Sequence, residues 1–181
     1  MFPRLAAFVK QPRRILDIGC GYGVPSVWLL ELFPAATVFC LDPDGERVRV
    51  AGRALGQRGE ARTGRAPEIG DLPGGADTAL ILDIIHMLSD DELGKTLSHL
   101  HDKLSPGGRI VLRTTIPRDG DHPWMRKLEE LRLKRNSLKP HYRSRDTIEA
   151  VIRAAGFQIE TVESAAPDSE EVWFVAERVT A

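Results

Sequence analysis

The sequence of 181 residues contains little cysteine and no long apolar run, and each scarcity excludes a class of protein. Two cysteines, Cys20 and Cys40, cannot build a disulfide framework, so we expect both to be reduced and buried in a cytoplasmic protein. No run approaches the roughly 20 apolar residues of a membrane span, and residues 1–12 lack the layout of a secretory signal. A hydrophobic content of 42% and a charged content of 28% instead predict a single globular domain over residues 1–181.

Metal-ligand patterns and an excess of positive charge are also missing. His99 and His101 stand two positions apart in a predicted helix and therefore point to different sides, which argues against a metal site. The net charge of −1 argues against broad contact with phosphate backbones, so we do not expect a nucleic-acid partner.

The most informative segment is I-L-D-I-G-C-G-Y-G at residues 15–23. An apolar stretch runs into Gly19, Gly21 and Gly23, where the backbone can turn tightly and approach a ligand without an intervening Cβ. The spacing G-x-G-x-G differs from the G-x-G-x-x-G of dinucleotide enzymes, and the G-K-[ST] ending of a P-loop is absent. A strand, a glycine loop and a helix in this order predict the nucleotide-binding half of a βαβ unit.

Strand and helix patterns alternate along the chain, which predicts an α/β fold. We expect a doubly wound, mostly parallel sheet with helices on both faces and an antiparallel pair of C-terminal strands. The predicted strands span residues 14–18, 37–41, 60–64, 78–83, 109–114, 157–163 and 171–178. The predicted helices span residues 24–33 and 44–56, a segment that begins at the capping box of Ser89 and Glu92, and a segment from Ser144 to Gly156.

A carboxylate follows the second predicted strand, in Asp42-Pro43-Asp44. A nucleoside-binding fold places an acid about 20 positions beyond the glycines, where it accepts both ribose hydroxyls. Asp42 fits this role, whereas Asp44 is predicted to cap the helix that follows.

These segments resemble, in the same order, the motifs of the class I S-adenosylmethionine-dependent methyltransferases of the small-molecule type. The matching stretches are the glycine segment, Asp42-Pro43-Asp44, Asp83-Ile84-Ile85-His86 and Leu104-Ser105-Pro106-Gly107-Gly108. The resemblance implies a seven-stranded Rossmann-like sheet with the last strand inserted antiparallel, S-adenosyl-L-methionine as methyl donor and S-adenosyl-L-homocysteine as product. The residues that it implies for cofactor binding are Asp17, Gly19, Cys20, Gly21, Gly23, Asp42, Pro43, Arg65, Ala66 and Asp83.

Two features depart from the family pattern. Only about a dozen residues precede the first predicted strand, where many relatives carry one or two helices that wall the substrate pocket. The pocket must then be closed by another segment, by a partner chain such as a second copy in a homodimer, or by nothing. Arg65 replaces the acid that usually contacts the adenine amino group, so recognition of the adenine edge would fall to the backbone of Arg65 and Ala66.

The segment between the fifth predicted strand and the last helix, residues 115–143, is longer than an ordinary connection in this fold. Relatives place substrate-binding lids here, so we expect Trp124, Met125 and Tyr142 to reach the acceptor. Residues 113–146 hold ten Lys or Arg and five Asp or Glu, against a net charge of −1 for the whole chain. This excess has two interpretations, a solvated helical face or a surface for an acidic or carrier-bound acceptor.

His86 lies just beyond the fourth predicted strand, at the sheet edge where the methyl donor is expected. Its surroundings resemble the H-D-W-S-D stretch of small-molecule O-methyltransferases, in which the histidine is the general base, but Met87 and Leu88 replace the Asp-Trp pair. Three roles remain open: a base that removes a hydroxyl proton, a wall of the pocket, or a purely structural use. Two roles also remain open for Asp83, which either contacts the donor or simply ends the strand.

Missing motifs narrow the acceptor. No [DN]-P-P-[YF], which holds the amino nitrogen in adenine or glutamine methylation, follows the fourth predicted strand, and no cysteine is there for cytosine methylation. The leading hypothesis is methyl transfer to a small-molecule or carrier-bound acceptor, with oxygen favoured over nitrogen or carbon. The alternatives are a catalytically inactive donor-binding module that acts as a partner or regulatory domain, and a nucleotide-dependent oxidoreductase with the same fold.

Overall fold

The computed structural model describes residues 1–117 and 140–179. One sheet contains β1 (Arg14–Ile18), β2 (Thr37–Asp42), β3 (Gly59–Thr63), β4 (Ala76–Leu82), β5 (Leu104–Thr115), β6 (Phe157–Ser164) and β7 (Glu171–Arg178). The described helices are α1 (Phe2–Val9), α2 (Val24–Leu32), α3 (Gly45–Leu55), α4 (Asp90–Lys103) and α5 (Arg145–Ala154). Two 3-10 turns lie at Gly56–Arg58 and Ile85–Met87.

The strand order is β3-β2-β1-β4-β5-β7-β6, which confirms the predicted seven-stranded, doubly wound sheet. The pairs that join β1 to β2, β1 to β4, β2 to β3 and β4 to β5 are parallel. Strand β7 is inserted antiparallel between β5 and β6, as the family resemblance implied. The central strands β1 and β4 are apolar over most of their length because helices cover both of their faces.

Alternation along the strands divides the core into two layers. On one face, Leu16 and Ile18 of β1 join the buried leucines and isoleucines of α4 and α5. On the other face, Ile15 of β1 joins the buried side chains of α1, α2 and α3. The two layers hold the helices against opposite faces of the sheet. In the part of the chain that the structure describes, no helix is long and apolar enough to cross a bilayer.

Helix α4 shows how the sequence determines local structure. The Ser89 hydroxyl accepts a hydrogen bond from the Glu92 amide at 3.3 Å, and the Glu92 carboxylate accepts one from the Ser89 amide at 2.8 Å. This reciprocal cap starts the helix where the sequence predicts it. The predicted apolar face is completely buried, with Leu93, Leu97 and Leu100 all 0% exposed. Each such side chain stabilises the fold by about 1.5–3 kcal/mol relative to exposure.

Several boundaries differ from the sequence prediction by one or more residues, and three regions show this most clearly. An N-terminal helix, α1, occupies the region that was expected to lack one, with Leu5 and Val9 buried. Its Phe2 ring lies 5.1 Å from the ring of Trp28 on α2, so α1 covers the sheet instead of reaching the cleft described below. Strand β4 begins earlier, and β5 begins at Leu104 because Leu104 already pairs with Ala76 beyond an irregularity in the ladder. Short segments like these form through tertiary contacts that local patterns do not show.

Candidate active site

A cleft of about 440 Å³ lies at the carboxyl ends of β1, β2 and β4. In a parallel α/β sheet, ligands bind at this edge, where the strand order reverses direction. Six residues predicted for cofactor binding line the cleft: Gly19, Asp42, Pro43, Arg65, Ala66 and Asp83. The other four, Asp17, Cys20, Gly21 and Gly23, lie in or beneath the loop that forms one wall and do not line the cleft itself.

The glycine loop needs glycine for a steric reason at Gly19. Its φ is +77°, and a Cβ there would lie 2.5 Å from Cγ2 of Ile84. The amides of Gly19 and Cys20 both donate to the carbonyl of Leu41, at 2.7 and 3.1 Å, so the loop is attached to the end of β2. The loop therefore folds tightly against the cleft and leaves the floor open for a ligand.

Asp42 connects the loop to the end of β2. Its Oδ2 accepts a hydrogen bond from the Gly21 amide at 2.8 Å, and its Oδ1 accepts one from the Asp44 amide at 3.0 Å. The residue is only 4% exposed but lines the cleft. Since each carboxylate oxygen has capacity for a second hydrogen bond, Asp42 can hold the loop and still accept ligand hydroxyls. Asp44 caps α3 as predicted, accepting from the amides of Glu46 and Arg47.

Asp17 lies under the loop. It is 2% exposed, and its Oδ2 accepts a hydrogen bond from the hydroxyl of buried Ser26 on α2 at 2.6 Å. Burial raises the pKa of Asp17 to about 6; the hydrogen bond from Ser26 opposes this shift, and the negative charge of Asp42 adds to it. Asp17 thus supports the loop from below, and Ser26 is a supporting residue that sequence reasoning missed.

The two cysteines are free thiols packed beside this support. Cys40 is 0% exposed and Cys20 is 7% exposed. A hydrogen bond to Cys20 and burial raise the pKa of the Cys40 thiol above its ordinary value. The Cys40 thiol is therefore protonated, and both cysteines are buried, as the sequence predicted.

Asp83 directly follows β4 in a conformation unusual for a residue other than glycine, with a φ of +59°. Its carboxylate accepts hydrogen bonds from Nε of Arg113 at 3.0 Å and is further paired with Nη2 of the same side chain. The Arg113 guanidinium lies 5.4 Å from the ring centre of Trp173. Backbone strain at the mouth of a cleft is a common property of functional sites. The ion pair fixes the Asp83 carboxylate beside the cleft, and Arg113 was not predicted as a site residue.

The 3-10 turn after Asp83 carries His86. Met87 and Leu88 line the cleft, whereas His86 itself does not. The carbonyl of His86 accepts a hydrogen bond from the His141 amide at 2.7 Å. The ring of His86 is stacked on that of Tyr142, with centroids 6.1 Å apart and planes 16° apart. Two residues predicted to face the acceptor, His86 and Tyr142, therefore meet beside the cleft although 56 positions separate them in the sequence.

Two other predicted acceptor residues, Trp124 and Met125, lie outside the described residues, as does most of the predicted lid at 115–143. Sequence reasoning missed Arg143, which comes directly after Tyr142. Its side chain is 3% exposed, and it donates to carbonyls of the turn that carries His86. A single arginine in a basic segment gave no signal of this role, because neighbouring arginines have the same local pattern.

Comparison of the sequence with known proteins identifies the family to which the chain belongs. The profile of a methyltransferase domain family matches residues 2–162. The chain is 30% identical over 115 residues to the trans-aconitate 2-methyltransferase of Pseudomonas aeruginosa, a stretch that covers 64% of this chain and 40% of that enzyme. The aligned stretches span only 24% and 40% of the lengths of the first curated relatives.

Solved structures show the same fold. An S-adenosylmethionine-dependent methyltransferase from Mesorhizobium loti superposes with a TM-score of 0.80 at 22% identity, covering 97% of this chain and 96% of that one. A protein from Nostoc punctiforme, described as a putative O-methyltransferase, gives a TM-score of 0.79 at 20% identity, covering 98% of this chain and 56% of that one. At these identities the likeness concerns the fold alone.

Proposed function

This chain belongs to the methyltransferase domain family, and from that premise we propose that it transfers a methyl group from S-adenosylmethionine to an oxygen of a small-molecule or carrier-bound acceptor. The observation that carries the proposal is the cleft at the carboxyl ends of β1, β2 and β4. The cleft offers a feature for each of three tasks. Its glycine loop suits the binding of a nucleoside, its buried carboxylate suits the orientation of that nucleoside, and the histidine-bearing turn beside it suits contact with an acceptor.

The residues of the cleft fit S-adenosylmethionine in chemistry. Asp42 offers carboxylate oxygens suited to ribose hydroxyls, and the Leu41 and Ala66 side chains supply apolar surface for a flat base. Gly19 keeps the floor free of a Cβ that would collide with Ile84. Arg65 stands where an acid usually contacts the adenine amino group, so the adenine edge would be read by the backbone at Arg65 and Ala66.

When bound, S-adenosylmethionine supplies an activated methyl group attached to a sulfonium. The protein's task is then to align the acceptor with that group and to exclude water. Ile84, Met87 and Leu88 give the cleft an apolar side next to the turn. On the acceptor side, we assign His86 to removal of a hydroxyl proton at an imidazole nitrogen and Tyr142, stacked on it, to the wall that orients the ring.

Two kinds of oxygen acceptor make different demands on His86. A phenol or alcohol must lose its proton during the reaction, and an imidazole base accelerates that step. A carboxylate is already ionised at neutral pH and needs only orientation, and the name of the Pseudomonas relative refers to trans-aconitate, a tricarboxylate. The choice between these classes therefore determines whether His86 acts as a base or as a pocket wall.

The proposal is tested first by isothermal calorimetry with S-adenosylmethionine, S-adenosylhomocysteine and NAD. We expect binding of the first two and none of NAD; the reverse result would favour an oxidoreductase. Turnover is then measured against matched phenols, carboxylic acids, including trans-aconitate, and acyl-carrier substrates. Tight donor binding with no methylation across the panel would favour the inactive donor-binding module over the enzyme.

A further inference from the structure

Arg143 has an unusual set of partners for an arginine near the surface. Its Nη1 donates to the carbonyl of Ile85 at 2.8 Å and to the carbonyl of His141 at 3.0 Å, and its Nη2 donates to the carbonyl of Leu88 at 2.6 Å. Its Nε donates to Oδ1 of Asp90 at 2.7 Å. One guanidinium thus contacts both ends of the turn, the first turn of α4 and its own segment.

The turn and the segment at residues 140–143 are joined by further contacts. The His141 amide donates to the carbonyl of His86 at 2.7 Å. The ring of Tyr142 lies parallel to that of His86, with a 16° angle between the planes. We use the name docked turn for the turn at Ile85–Leu88 together with His141, Tyr142 and Arg143. Every contact between the turn and residues 141–143 crosses more than 50 positions of sequence, so none of these contacts can form before the tertiary fold.

The chemistry of the docked turn requires a forked donor. The carbonyls of Ile85 and Leu88 point toward Arg143, and buried carbonyls need hydrogen-bond donors. The planar guanidinium offers five N–H groups in fixed directions, whereas a lysine offers a single compact ammonium. Asp90 balances the charge from a side chain that is 80% exposed, so the ion pair has one buried and one solvated partner.

We propose that Arg143 is the positioning residue of the acceptor side. It fixes both ends of the turn and thereby holds His86 against Tyr142 in one orientation beside the cleft. The inference rests on the proposed function, because it assigns a catalytic consequence to this orientation. Displacement of a reacting group by about 1 Å can lower turnover by about 10²-fold, and we expect a 3-10 turn without the hydrogen bonds from Arg143 to move by that much.

A purely stabilising role would make different predictions, and the chain offers a matched control. Arg109 on β5 is also buried, with a side chain 9% exposed, and pairs with Glu160 at 3.1 Å and Glu177 at 3.6 Å. Arg109 faces Thr78 of β4, whereas the cleft lies beyond Leu82 at the other end of that strand. Arg143→Gln and Arg109→Gln therefore each remove a buried cation, but only the first removes contacts to the docked turn.

The experiment compares both variants with the native chain by amide hydrogen exchange. In Arg143→Gln we expect the amides of His141 and Leu88 to exchange at least about 10-fold faster, while the Leu16 amide of β1 keeps its protection. We expect the affinity for S-adenosylhomocysteine, measured by calorimetry, to change less than about twofold. Arg109→Gln should leave exchange at His141 and Leu88 unchanged.

Turnover gives the second readout, with the acceptor that the substrate panel identifies. Arg143→Gln should lower kcat about 10²-fold with little change in the cofactor KM, and Arg143→Lys should recover only part of the loss. If the glutamine variant unfolds, Arg143→Lys carries the test through the same exchange and kinetic measurements. Native exchange at His141 and Leu88, or loss of kcat equal to that of Arg109→Gln, would overturn the proposal. If the native chain methylates nothing, the exchange result still decides the docked turn, whereas the proposed function fails separately.

Discussion

The two sides of the cleft are organised in different ways. The proposed donor side, comprising the glycine loop and the end of β2, is fixed by backbone hydrogen bonds, in which the amides of Gly19 and Cys20 donate to the Leu41 carbonyl at 2.7 and 3.1 Å. The proposed acceptor side, comprising the docked turn and residues 140–143, is fixed by the side chain of Arg143, which comes from a distant segment. The donor side is therefore part of the sheet itself, whereas the acceptor side depends on side chains that could be exchanged without changing the fold.

This difference predicts that the two sides of the cleft respond differently to substitution. The contacts that hold the donor side follow from the βαβ unit, so they persist wherever that unit is intact. The acceptor side uses side-chain contacts on loops, which tolerate substitution more readily. We expect changes to the acceptor side to alter turnover while leaving donor affinity nearly constant, and changes to the donor side to do the reverse.

The largest expected effect is that of His86→Gln. If His86 is the base, the variant should lower kcat by about 10²–10⁴, because glutamine retains polarity but cannot take the proton. The native rate should also fall at acidic pH as the imidazole becomes protonated. Affinity for S-adenosylhomocysteine should remain within about twofold.

The control for that variant is His101→Gln, which removes a histidine whose ring contacts Phe157 away from the cleft. Near-native turnover in His86→Gln would rule out base catalysis and favour the pocket-wall role. A carboxylate acceptor with no acidic limb in its pH profile would lead to the same conclusion.

A second prediction concerns the pH dependence of stability. The pKa of Asp17 is 3.8 in an unfolded chain and about 6 in the folded protein, so the folded state binds the proton more tightly. The resulting stabilisation is complete below pH 3.8 and is lost as the pH rises toward about 6. The shift corresponds to about 3 kcal/mol.

The test is Asp17→Asn, which keeps an acceptor for the Ser26 hydroxyl but cannot ionise. The difference in unfolding free energy between this variant and the native chain should move in favour of the variant between pH 4 and pH 7, as followed by urea titration. Parallel stability curves over that range would show that Asp17 does not titrate as burial predicts.

The third prediction separates ligand binding from scaffolding at Asp42. Asp42→Ala should weaken S-adenosylhomocysteine binding by about 1–3 kcal/mol, because hydrogen bonds to a charged acceptor are lost. Asp77→Ala is the matched control, since Asp77 also accepts two backbone amides, those of Arg13 and Arg14, but at the opposite end of the sheet. If both variants bind equally well in calorimetry, Asp42 only supports the loop.

The smallest expected effect is that of Ser89→Ala. Loss of the capping box at the start of α4 should lower the free energy of unfolding by about 1 kcal/mol. Ser144→Ala at the start of α5 removes a side-chain cap from a helix that does not line the cleft and provides the comparison. A loss of donor affinity in Ser89→Ala alone would mean that the helix start also shapes the donor side.

The predicted lid adds a separate expectation. Residues 121–136, which include Trp124 and Met125, lie outside the described part of the chain, so their role stays a prediction. We expect this segment to exchange its amides faster without ligands than with donor and acceptor bound. Protection equal to that of β1 under both conditions would count against a lid.

The sequence alone determined the features that depend on neighbouring residues. The alternation of strand and helix patterns predicted a mostly parallel, doubly wound sheet. The glycine spacing predicted the loop after β1, and the Ser89–Glu92 spacing predicted the cap of α4. Each of these patterns acts within a few positions of the sequence. The tertiary structure alone decided which distant residues meet. It brought Tyr142 onto His86, placed Arg143 across the turn and gave Asp83 the partner Arg113, because such pairs depend on which strand ends become neighbours in the sheet. Helix α1 belongs to the same group, since a segment of eight residues is too short to be a stable helix without its packing against α2 and β5.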